Sequence, residues 1–269
     1  MSRNVFKDNV AIITGASAGI GKELALQLAK QGCLLVLASR DEVKLNSVTE
    51  ECRRLGGKAI AVKTDVSDKL QCKNLTEKTI AEYGRIDSLF NNAGISMWAK
   101  FDEITDIDMF EKIMKVNYLG SLYCTYFALQ HLKKSKGRLI GISSLTGKTG
   151  VPTRSGYAAS KHAMAGFFDS LRIELANTGV SVTMIYPGFV STEVRERAFG
   201  GDGKPLGKSH VQEEKVMPVE KCAELIIDAS AKRKREVVMT TRAKVGMWIK
   251  LISPKLVDNI SAKAIENGV

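Results

Sequence analysis

Short apolar runs alternate with amphipathic segments along most of the chain. Each run ends at a glycine or a polar residue, which is typical of a buried strand, and the intervening segments carry apolar residues at helical spacing. The runs predict strands at 9–14, 33–39, 58–65, 85–94, 137–144, 179–188 and 236–240. The amphipathic segments predict helices at 20–32, 41–57, 67–84, 103–134, 155–177 and 218–231, with Ser67 as the cap of the third helix.

Strands that alternate with helices form βαβ units, whose right-handed crossovers place helices on both faces of a parallel sheet. The pattern therefore predicts an α/β fold, a single doubly wound Rossmann-type domain over 1–269 with a parallel sheet of about seven strands. Ligands bind such sheets at the carboxyl ends of the strands, where the strand order reverses. Two segments fall outside the alternation, a polar, glycine-rich loop at 189–217 and a basic and apolar tail at 241–269.

The 269 residues carry a formal net charge of +11, with 44% hydrophobic and 26% charged residues. This composition is ordinary for a soluble globular protein, and the charge suits an anionic ligand, a nucleic acid, an acidic membrane or solvated helix faces. Five scattered cysteines without a CxxC pair predict reduced thiols, and three histidines without metal-ligand spacing predict no metal site. The N-terminus resembles neither a signal peptide nor a membrane anchor, so we expect a cytoplasmic protein.

A glycine-rich turn follows the first predicted strand and opens the first predicted helix. Gly15 permits a tight turn, Gly19 lets a pyrophosphate approach the backbone, and Gly21 allows close packing of the helix. The helix N-terminus would offer unpaired N–H groups to phosphate. The spacing is GxxxGxG rather than the commoner GxGxxG, and an ordinary turn is the alternative. Its place between a strand and a helix favours a dinucleotide-binding loop.

The tip of the second predicted strand indicates which dinucleotide to expect. A carboxylate there would bind the adenosine ribose and repel a 2′-phosphate, but the chain has Ser39 and Arg40. A hydroxyl and a guanidinium suit a phosphate, so the sequence predicts NADP(H) over NAD(H). The alternative is a surface arginine paired with Asp41 or Glu42. Asp65, at the end of the third strand, is placed either to meet the adenine or to cap a helix.

Tyr157 and Lys161 lie four residues apart, on one face of a predicted helix. A free phenol has a pKa of about 10, and a nearby ammonium lowers it toward the range in which an acid and base works. Ser144, at the end of the fifth strand, would hold a carbonyl or alcohol oxygen beside the phenol. This chemistry suits hydride transfer with a nicotinamide cofactor. The alternative is a solvated helix, on which this spacing is also common.

The ordered set of motifs resembles the short-chain dehydrogenase/reductase family, in its single-domain branch. The motifs are TGASAGIG at 14–21, Asp65, NNAG at 91–94, Asn117, Ser144, YAASK at 157–161, and Pro187-Gly188 with Thr192. The resemblance implies that Ser144 orients the substrate oxygen and that Tyr157 donates or accepts the proton. It implies that Lys161 lowers the pKa of that tyrosine and binds the nicotinamide ribose, and that Asn117 holds a water linking the lysine to solvent.

The alternative interpretation of Asn117 is that it is an ordinary helix residue. Many NADP-preferring relatives carry a basic residue in the glycine loop, where this chain has Ala18, so the NADP(H) prediction depends on Arg40. The predicted catalytic residues are Ser144, Tyr157, Lys161 and Asn117. The predicted cofactor-binding residues are Gly15, Ser17, Gly19, Ile20, Gly21, Ser39, Arg40, Asp65, Val66, Asn92, Ala93, Gly94, Tyr157, Lys161, Pro187, Gly188, Val190 and Thr192.

Variable loops are expected to form the substrate wall, at 95–100, 145–154 and 189–217, and the last of these would act as a lid. Their apolar side chains favour a hydrophobic substrate such as a lipid, steroid or retinoid, with packing against helices as the alternative. Those side chains are Met97, Trp98, Phe189, Val194 and Phe199.

The tail at 241–269 mixes basic and apolar residues and has three interpretations. Packing or dimerisation is favoured, a peripheral membrane contact comes second, and a cover for the substrate pocket is equally compatible. The basic run at 232–235 falls at a joint between a helix and a strand, so we expect solvated charge and no nucleic acid.

The sequence as a whole predicts an NADP(H)-dependent oxidoreductase that interconverts a carbonyl and a primary or secondary alcohol. The alternatives are an NAD-dependent alcohol dehydrogenase and a non-catalytic protein that binds a dinucleotide or a membrane surface. The resemblance also implies a homodimer or homotetramer, built through the helices at 103–134 and 155–177.

Overall fold

A computed structural model describes residues 4–208, 211 and 216–266. The strands are β1 (Val10–Thr14), β2 (Leu34–Ser39), β3 (Lys58–Lys63), β4 (Ser88–Asn91), β5 (Arg138–Ile142), β6 (Ser181–Tyr186) and β7 (Glu236–Val238). They form one sheet in the order β3-β2-β1-β4-β5-β6-β7, and all neighbours are parallel. Every strand lies inside its predicted run, which confirms the predicted fold class.

Helices cover both faces of the sheet. They are α1 (Gly19–Ala29), α2 (Glu42–Arg54), α3 (Lys69–Tyr83), α4 (Asp108–Met114), α5 (Gly120–Ser135), α6 (Ser155–Glu174), α7 (Val219–Ala231), α8 (Thr241–Ile252) and α9 (Pro254–Glu266). None of the helices within these ranges is long and apolar enough to cross a bilayer. The five cysteines are all free and buried, as expected for reduced thiols.

Two hydrophobic cores lie on opposite faces of the sheet, because successive side chains of a strand point in opposite directions. Ile13 of β1 packs in the core that contains Leu28 of α1 together with residues of α2 and α7. Its neighbour Ile12 packs in the other core, with Leu132 of α5 and Phe168 of α6. The strands are therefore buried on both sides, which explains their continuous apolar runs.

The strand order reverses between β1 and β4, which are neighbours in the centre of the sheet. The chain leaves β1 toward β2 and β3 on one side, and continues from β4 toward β5, β6 and β7 on the other. The loops that follow β1 and β4 therefore diverge, and they leave a crevice at the carboxyl ends of the strands.

Three local predictions need correction. The segment predicted as one helix at 103–134 is divided into a 3₁₀ turn at Phe101–Glu103, α4, a π-helical turn at Lys115–Leu119 and α5. Asp68 rather than Ser67 caps α3, because its carboxylate accepts from Leu70 N and Gln71 N. The tail, which had no predicted element, forms α8 and α9, which contact each other.

Candidate active site

The glycine-rich turn joins β1 to α1 at the crevice. Gly15 and Gly19 have φ angles of +66° and +54°, in the region that favours glycine. A Cβ atom at Gly21 would lie 2.3 Å from Gly15 O, and one at Gly15 would lie 2.9 Å from the Cα atom of Ala93. Only glycine fits these positions, which leaves the backbone at the N-terminus of α1 open to a ligand.

Thr14 fixes the loop after β4 against the end of β1. Its Oγ1 atom accepts hydrogen bonds from Asn92 N and Ala93 N, both at 3.0 Å, and donates to Phe90 O at 3.2 Å. The side chain of Asn92 in turn donates to Thr14 O at 2.9 Å. The role of Thr14 was not readable from the sequence beyond its place in the motif, because it depends on a residue of a neighbouring strand 76 positions away.

Arg40 extends from the end of β2 beside Asp65. The closest approach joins Arg40 Nη1 to Asp65 Oδ2 at 3.8 Å, and the Arg40 side chain is 64% exposed. An exposed pair at this distance contributes little, so the guanidinium is free to bind a phosphate. The alternative partners bind elsewhere, since Asp41 caps α2 through Lys44 N and Glu42 pairs with Lys63.

Asp65 also binds Ser67 through both the backbone N–H and the hydroxyl of that serine. This closes a local turn and does not cap α3, so the helix-cap interpretation of Asp65 is wrong. Ser17 of the glycine loop and Ser39 of β2 lie within hydrogen-bonding distance, with 2.8 Å between their Oγ atoms.

Ser144, Tyr157 and Lys161 come together on the other side of the crevice. The Ser144 side chain interacts with the Tyr157 phenol and acts to lower the pKa of Tyr157. Lys161 Nζ donates to Ile142 O at 2.9 Å and lies 5.7 Å from the centroid of the Tyr157 ring. The predicted one-sided placement of the tyrosine and the lysine on α6 is thus confirmed.

The electrostatics of this group differ from the expectation. Burial raises the pKa of Tyr157, and the charge of Arg154 and the Ser144 side chain only partly oppose that rise. Burial also lowers the pKa of Lys161 to about 8. The expected net lowering of the Tyr157 pKa is therefore not found, and a contribution of Lys161 to it stays a prediction.

Asn117 lies in the π-helical turn and is fully buried. Its Oδ1 atom accepts from Ile95 N at 2.8 Å, and its Nδ2 atom donates to Ile95 O and to Ser160 Oγ, both at 2.9 Å. Ser160 Oγ donates onward to Tyr157 O at 2.7 Å. Asn117 is thus more than a plain helix residue, and its role in holding a water stays a prediction.

One cavity of about 790 Å³ connects the glycine loop to the Ser144–Tyr157–Lys161 group. Two of the predicted site residues, Gly21 and Asn117, do not line the cavity but pack against residues that do. The lining includes Gly15, Ser17, Gly19, Ile20, Ser39, Arg40, Asp65, Val66, Asn92, Ala93, Gly94, Ser144, Tyr157, Lys161, Pro187, Gly188, Val190 and Thr192.

The same cavity continues into a more apolar end. Phe189, Val194 and Phe199 line it as predicted, whereas Met97 and Trp98 do not. Met97 is fully buried in a separate small core with Met109 and Ile113, and Trp98 stacks on a buried arginine. The sequence could not distinguish these two residues from residues that line the cavity, because both lie in a short loop that was expected to form the substrate wall.

Comparison with known proteins identifies the family. The profile of the short chain dehydrogenase family matches residues 9–201. This chain belongs to the short-chain dehydrogenase family. It is 38% identical over 251 residues to 11-beta-hydroxysteroid dehydrogenase-like 4A of Arabidopsis thaliana, an alignment that covers 92% of this chain and 81% of that protein. It is 34% identical over 270 residues to dehydrogenase/reductase SDR family protein 7-like of Dictyostelium discoideum, covering 98% and 84%.

Solved structures of short-chain dehydrogenases share the fold. An alcohol dehydrogenase from Thermococcus sibiricus, complexed with 5-hydroxy-NADP, superposes with a TM-score of 0.74 and 26% identity, covering 86% of this chain and 95% of that one. A short-chain dehydrogenase/reductase from Burkholderia phymatum, in complex with NAD, gives a TM-score of 0.83 at 24% identity, covering 94% and 96%. The family is one of oxidoreductases, and of these two neighbours one holds an NADP derivative and the other holds NAD.

The segment after β6 is anchored to the loop after β4 in the part that the structure describes. Phe199 N donates to Ser96 O at 2.9 Å, and Trp98 N donates to Phe199 O at 2.8 Å. Further along, Gly201 O accepts from Thr105 N at 2.8 Å. The predicted lid at 189–217 includes 209–210 and 212–215, which lie outside the described residues.

The tail completes the wall of the cavity. Residues of α8 and α9 line its apolar end, among them Ala243, Met247, Val257, Ile260 and Ala264. Of the three interpretations of the tail, a cover for the pocket is thus observed. Sequence reasoning did not favour it, because nothing local in the tail shows that the helices fold back over the sheet.

Proposed function

We propose that this chain is an NADP(H)-dependent oxidoreductase, which interconverts a carbonyl and a primary or secondary alcohol within a single domain. The observation that carries the proposal is the shared cavity, in which the glycine loop and Arg40 lie at one end and Ser144, Tyr157 and Lys161 at the other. A dinucleotide along this cavity would place its phosphates and its nicotinamide at opposite ends.

The residues at the phosphate end fit such a cofactor. The glycine cradle, which a Cβ would fill, leaves the start of α1 open to the pyrophosphate. Arg40 and Ser39 would bind the 2′-phosphate of NADP(H), and Asp65 and Val66 would lie at the adenine. Asn92, Ala93 and Gly94 would form the floor, with Pro187, Gly188, Val190 and Thr192 at the nicotinamide. Bound nicotinamide supplies or accepts the hydride.

The protein residues would handle the proton and the substrate oxygen. In reduction the Tyr157 hydroxyl donates a proton to the carbonyl oxygen, and in oxidation its phenolate accepts the alcohol proton. The Ser144 hydroxyl, which lies beside Tyr157 in the cavity, would hold the same substrate oxygen. Lys161 would bind the nicotinamide ribose and stabilise the phenolate, while Asn117 holds Ile95 and α6 in place and binds a water near the lysine.

An apolar substrate is favoured by the far end of the cavity. Phe189, Phe199, Met247 and Val257 line it, and the aligned relatives include proteins named as hydroxysteroid dehydrogenases. We propose a lipid-like or steroid-like alcohol or ketone, for which an apolar wall offers most of the binding free energy.

The first experiment titrates the purified protein with NADPH and with NADH by nicotinamide fluorescence. Tight binding of NADPH alone supports the cofactor assignment, whereas a preference for NADH overturns it and keeps the reaction class. Oxidation of NADPH is then followed with steroid ketones, aliphatic aldehydes and quinones. We expect Tyr157→Phe to lose at least about a hundredfold in rate, while Tyr126→Phe, at an exposed tyrosine of α5, serves as the control. Failure to bind either dinucleotide contradicts the proposal.

The exposed face of α8 favours an additional peripheral membrane contact. Trp248, Leu251 and Ile252 are 73%, 76% and 88% exposed, and basic residues such as Lys244 and Lys255 lie near them. Exposed apolar and aromatic side chains with flanking lysines suit an anionic membrane interface. This helix also borders the cavity, so a lipophilic substrate would have a short path from the membrane to the site.

We also propose a cytoplasmic homodimer or homotetramer, built through α4, α5 and α6 without nucleic acid. The exposed apolar side chain of Ile173 on α6 supports an interface there. Sedimentation of the purified protein tests the oligomeric state.

A further inference from the structure

Arg154 is a buried arginine in the wall of the proposed active site. It is the N-cap residue of α6, three positions before Tyr157, and only 6% of its surface is exposed. The carbon atom of its guanidinium lies 5.9 Å from the centroid of the Tyr157 ring. Neither its sequence context nor the family motifs assign it a role.

The surroundings of Arg154 hold its guanidinium but do not neutralise it. Nη1 donates to Ser96 Oγ at 2.9 Å, and the group lies 4.3 Å from the ring centroid of Trp98 and 5.6 Å from that of Phe189. Its Nε and Nη2 atoms are buried and have no hydrogen-bond partner. In the described ranges no carboxylate forms an ion pair with it.

A buried and unneutralised cation is costly, so an anion that forms nearby is strongly favoured. Burial lowers the pKa of Arg154 to about 10, which still leaves the guanidinium charged at neutral pH. The charge of Arg195 acts in the same direction, while that of Tyr157 opposes it. The phenolate of Tyr157 is the anion that the proposed reaction would create at this place.

We propose that Arg154 is a positioning residue whose buried charge stabilises the phenolate of Tyr157, and so sets the pH range in which Tyr157 accepts a proton. The inference rests on the proposed acid–base role of Tyr157. In oxidation, the alcohol proton passes to the phenolate oxygen, and the hydride from the same carbon passes to the oxidised nicotinamide. Arg154 loses no proton in either direction, because its role is electrostatic.

The other groups that face Tyr157 do not replace this charge. Ser144 offers a neutral hydroxyl. Lys161 Nζ lies 5.7 Å from the ring centroid and donates to Ile142 O, but burial lowers its pKa to about 8, so it loses its charge at a lower pH than Arg154 does. On the side that packs against α4, Tyr157 contacts the small core that contains the uncharged side chains of Met109 and Ile113. Met97 belongs to the same core and carries an uncharged thioether. From the segment after β6, the charge of Arg195 acts to lower the pKa of Arg154.

The test measures the ionisation of Tyr157 directly, without cofactor or substrate. The protein is labelled with ¹³Cζ-tyrosine, and the Tyr157 signal among the six tyrosines is assigned by its absence in Tyr157→Phe. Titrations from neutral to alkaline pH then compare the wild type with Arg154→Met and Arg154→Lys. Arg154→Met removes the charge and keeps the apolar bulk, while Arg154→Lys keeps the charge.

We expect Arg154→Met to raise the Tyr157 pKa by about one unit or more, and Arg154→Lys to restore a value near that of the wild type. An unchanged Tyr157 pKa in Arg154→Met overturns the proposal, and so does an equal shift in Arg154→Lys. If Arg154→Met does not fold, Arg154→Gln makes the same comparison. Because this titration needs no turnover, it can succeed or fail independently of the NADPH-binding test of the proposed function.

The pH profile of turnover gives a second readout, with any alcohol and ketone pair found in the screen. For Arg154→Met we expect the rise of kcat/KM for oxidation to move to higher pH, in parallel with the Tyr157 pKa, while Arg154→Lys keeps the wild-type profile. A merely structural defect would lower kcat/KM at every pH without moving the profile. An increase in KM without a shift of the profile would instead make Arg154 a substrate anchor and overturn the proposal.

Discussion

The side chain of Asn117 binds both backbone groups of Ile95, accepting from its N–H at 2.8 Å and donating to its C=O at 2.9 Å. These two hydrogen bonds replace those that a neighbouring strand would make to the backbone of the loop that follows β4. The same Nδ2 atom binds Ser160, whose hydroxyl binds the backbone of Tyr157. The π-helical turn thus places one amide where it joins the cavity floor to the helix that carries the proposed acid and base.

We expect Asn117→Ala to destabilise the protein by about 2–3 kcal/mol, because it leaves both backbone groups of Ile95 without a partner and removes the donor to Ser160 Oγ. Urea denaturation at pH 7 measures this change, with Gln130→Ala on the exposed face of α5 as the control. A loss below about 0.5 kcal/mol, similar to that of a surface substitution, would contradict the structural role of Asn117.

We predict that Lys161 lowers the free energy of unfolding of the cofactor-free protein at neutral pH. Its pKa is about 8 in the folded chain and 10.5 when unperturbed, because burial disfavours the cation. The penalty on the folded state is therefore fully present below pH 8, and it disappears as the pH rises from 8 to 10.5. Lys161→Met should raise the free energy of unfolding at pH 7 by about 1–3 kcal/mol, less at pH 10, while abolishing turnover.

Urea denaturation at the two pH values measures this difference, with Lys78→Met on the exposed face of α3 as the matched control. The lost hydrogen bond to Ile142 O reduces the gain. A Lys161→Met protein that is less stable than the wild type at both pH values would show that this bond outweighs the burial of the charge.

Arg40→Ala should weaken NADPH binding by about tenfold to a hundredfold and leave NADH binding unchanged, since it removes a charged partner of the 2′-phosphate alone. Fluorescence titration with both dinucleotides gives the two dissociation constants. Arg54→Ala, an exposed arginine of α2 outside the cavity, is the matched control. Equal NADPH affinity in Arg40→Ala and the wild type would make the NADP(H) assignment wrong.

Gly21→Ala should distort the cofactor loop, because the new Cβ would lie 2.3 Å from Gly15 O and 2.5 Å from Asn92 Nδ2. We expect a destabilisation of about 1–3 kcal/mol and at least tenfold weaker NADPH binding. Gly150→Ala is the control, since a Cβ there meets nothing within 4 Å. Thermal denaturation and NADPH titration of both variants check the difference, and equal behaviour would refute the packing argument.

Ile252→Glu should reduce binding to vesicles that contain phosphatidylserine by about tenfold, because it places a carboxylate on the apolar face of α8. Co-sedimentation at low and high salt measures this binding. Val43→Glu, at an exposed apolar side chain of α2, introduces the same charge far from the tail. A wild-type protein that stays in the supernatant with these vesicles would rule out the membrane contact.

The sequence by itself determined those features that depend on neighbouring residues. Apolar runs located all seven strands of the described chain, since a strand buried on both faces needs continuous apolar side chains. The glycine turn and the spacing of Tyr157 and Lys161 were equally readable, because a tight turn and one helix face are local properties.

The tertiary structure decided whatever depends on residues far apart in the chain. It buried Arg154 against Trp98 and Phe189 without an anion, used Asn117 to hold Ile95 from 22 residues away, and folded α8 and α9 over the cavity. No local pattern encodes these contacts, because they arise only when the sheet aligns the ends of its strands. The pKa of a buried group follows the same rule, since its neighbours and its solvent exposure are set by the whole fold.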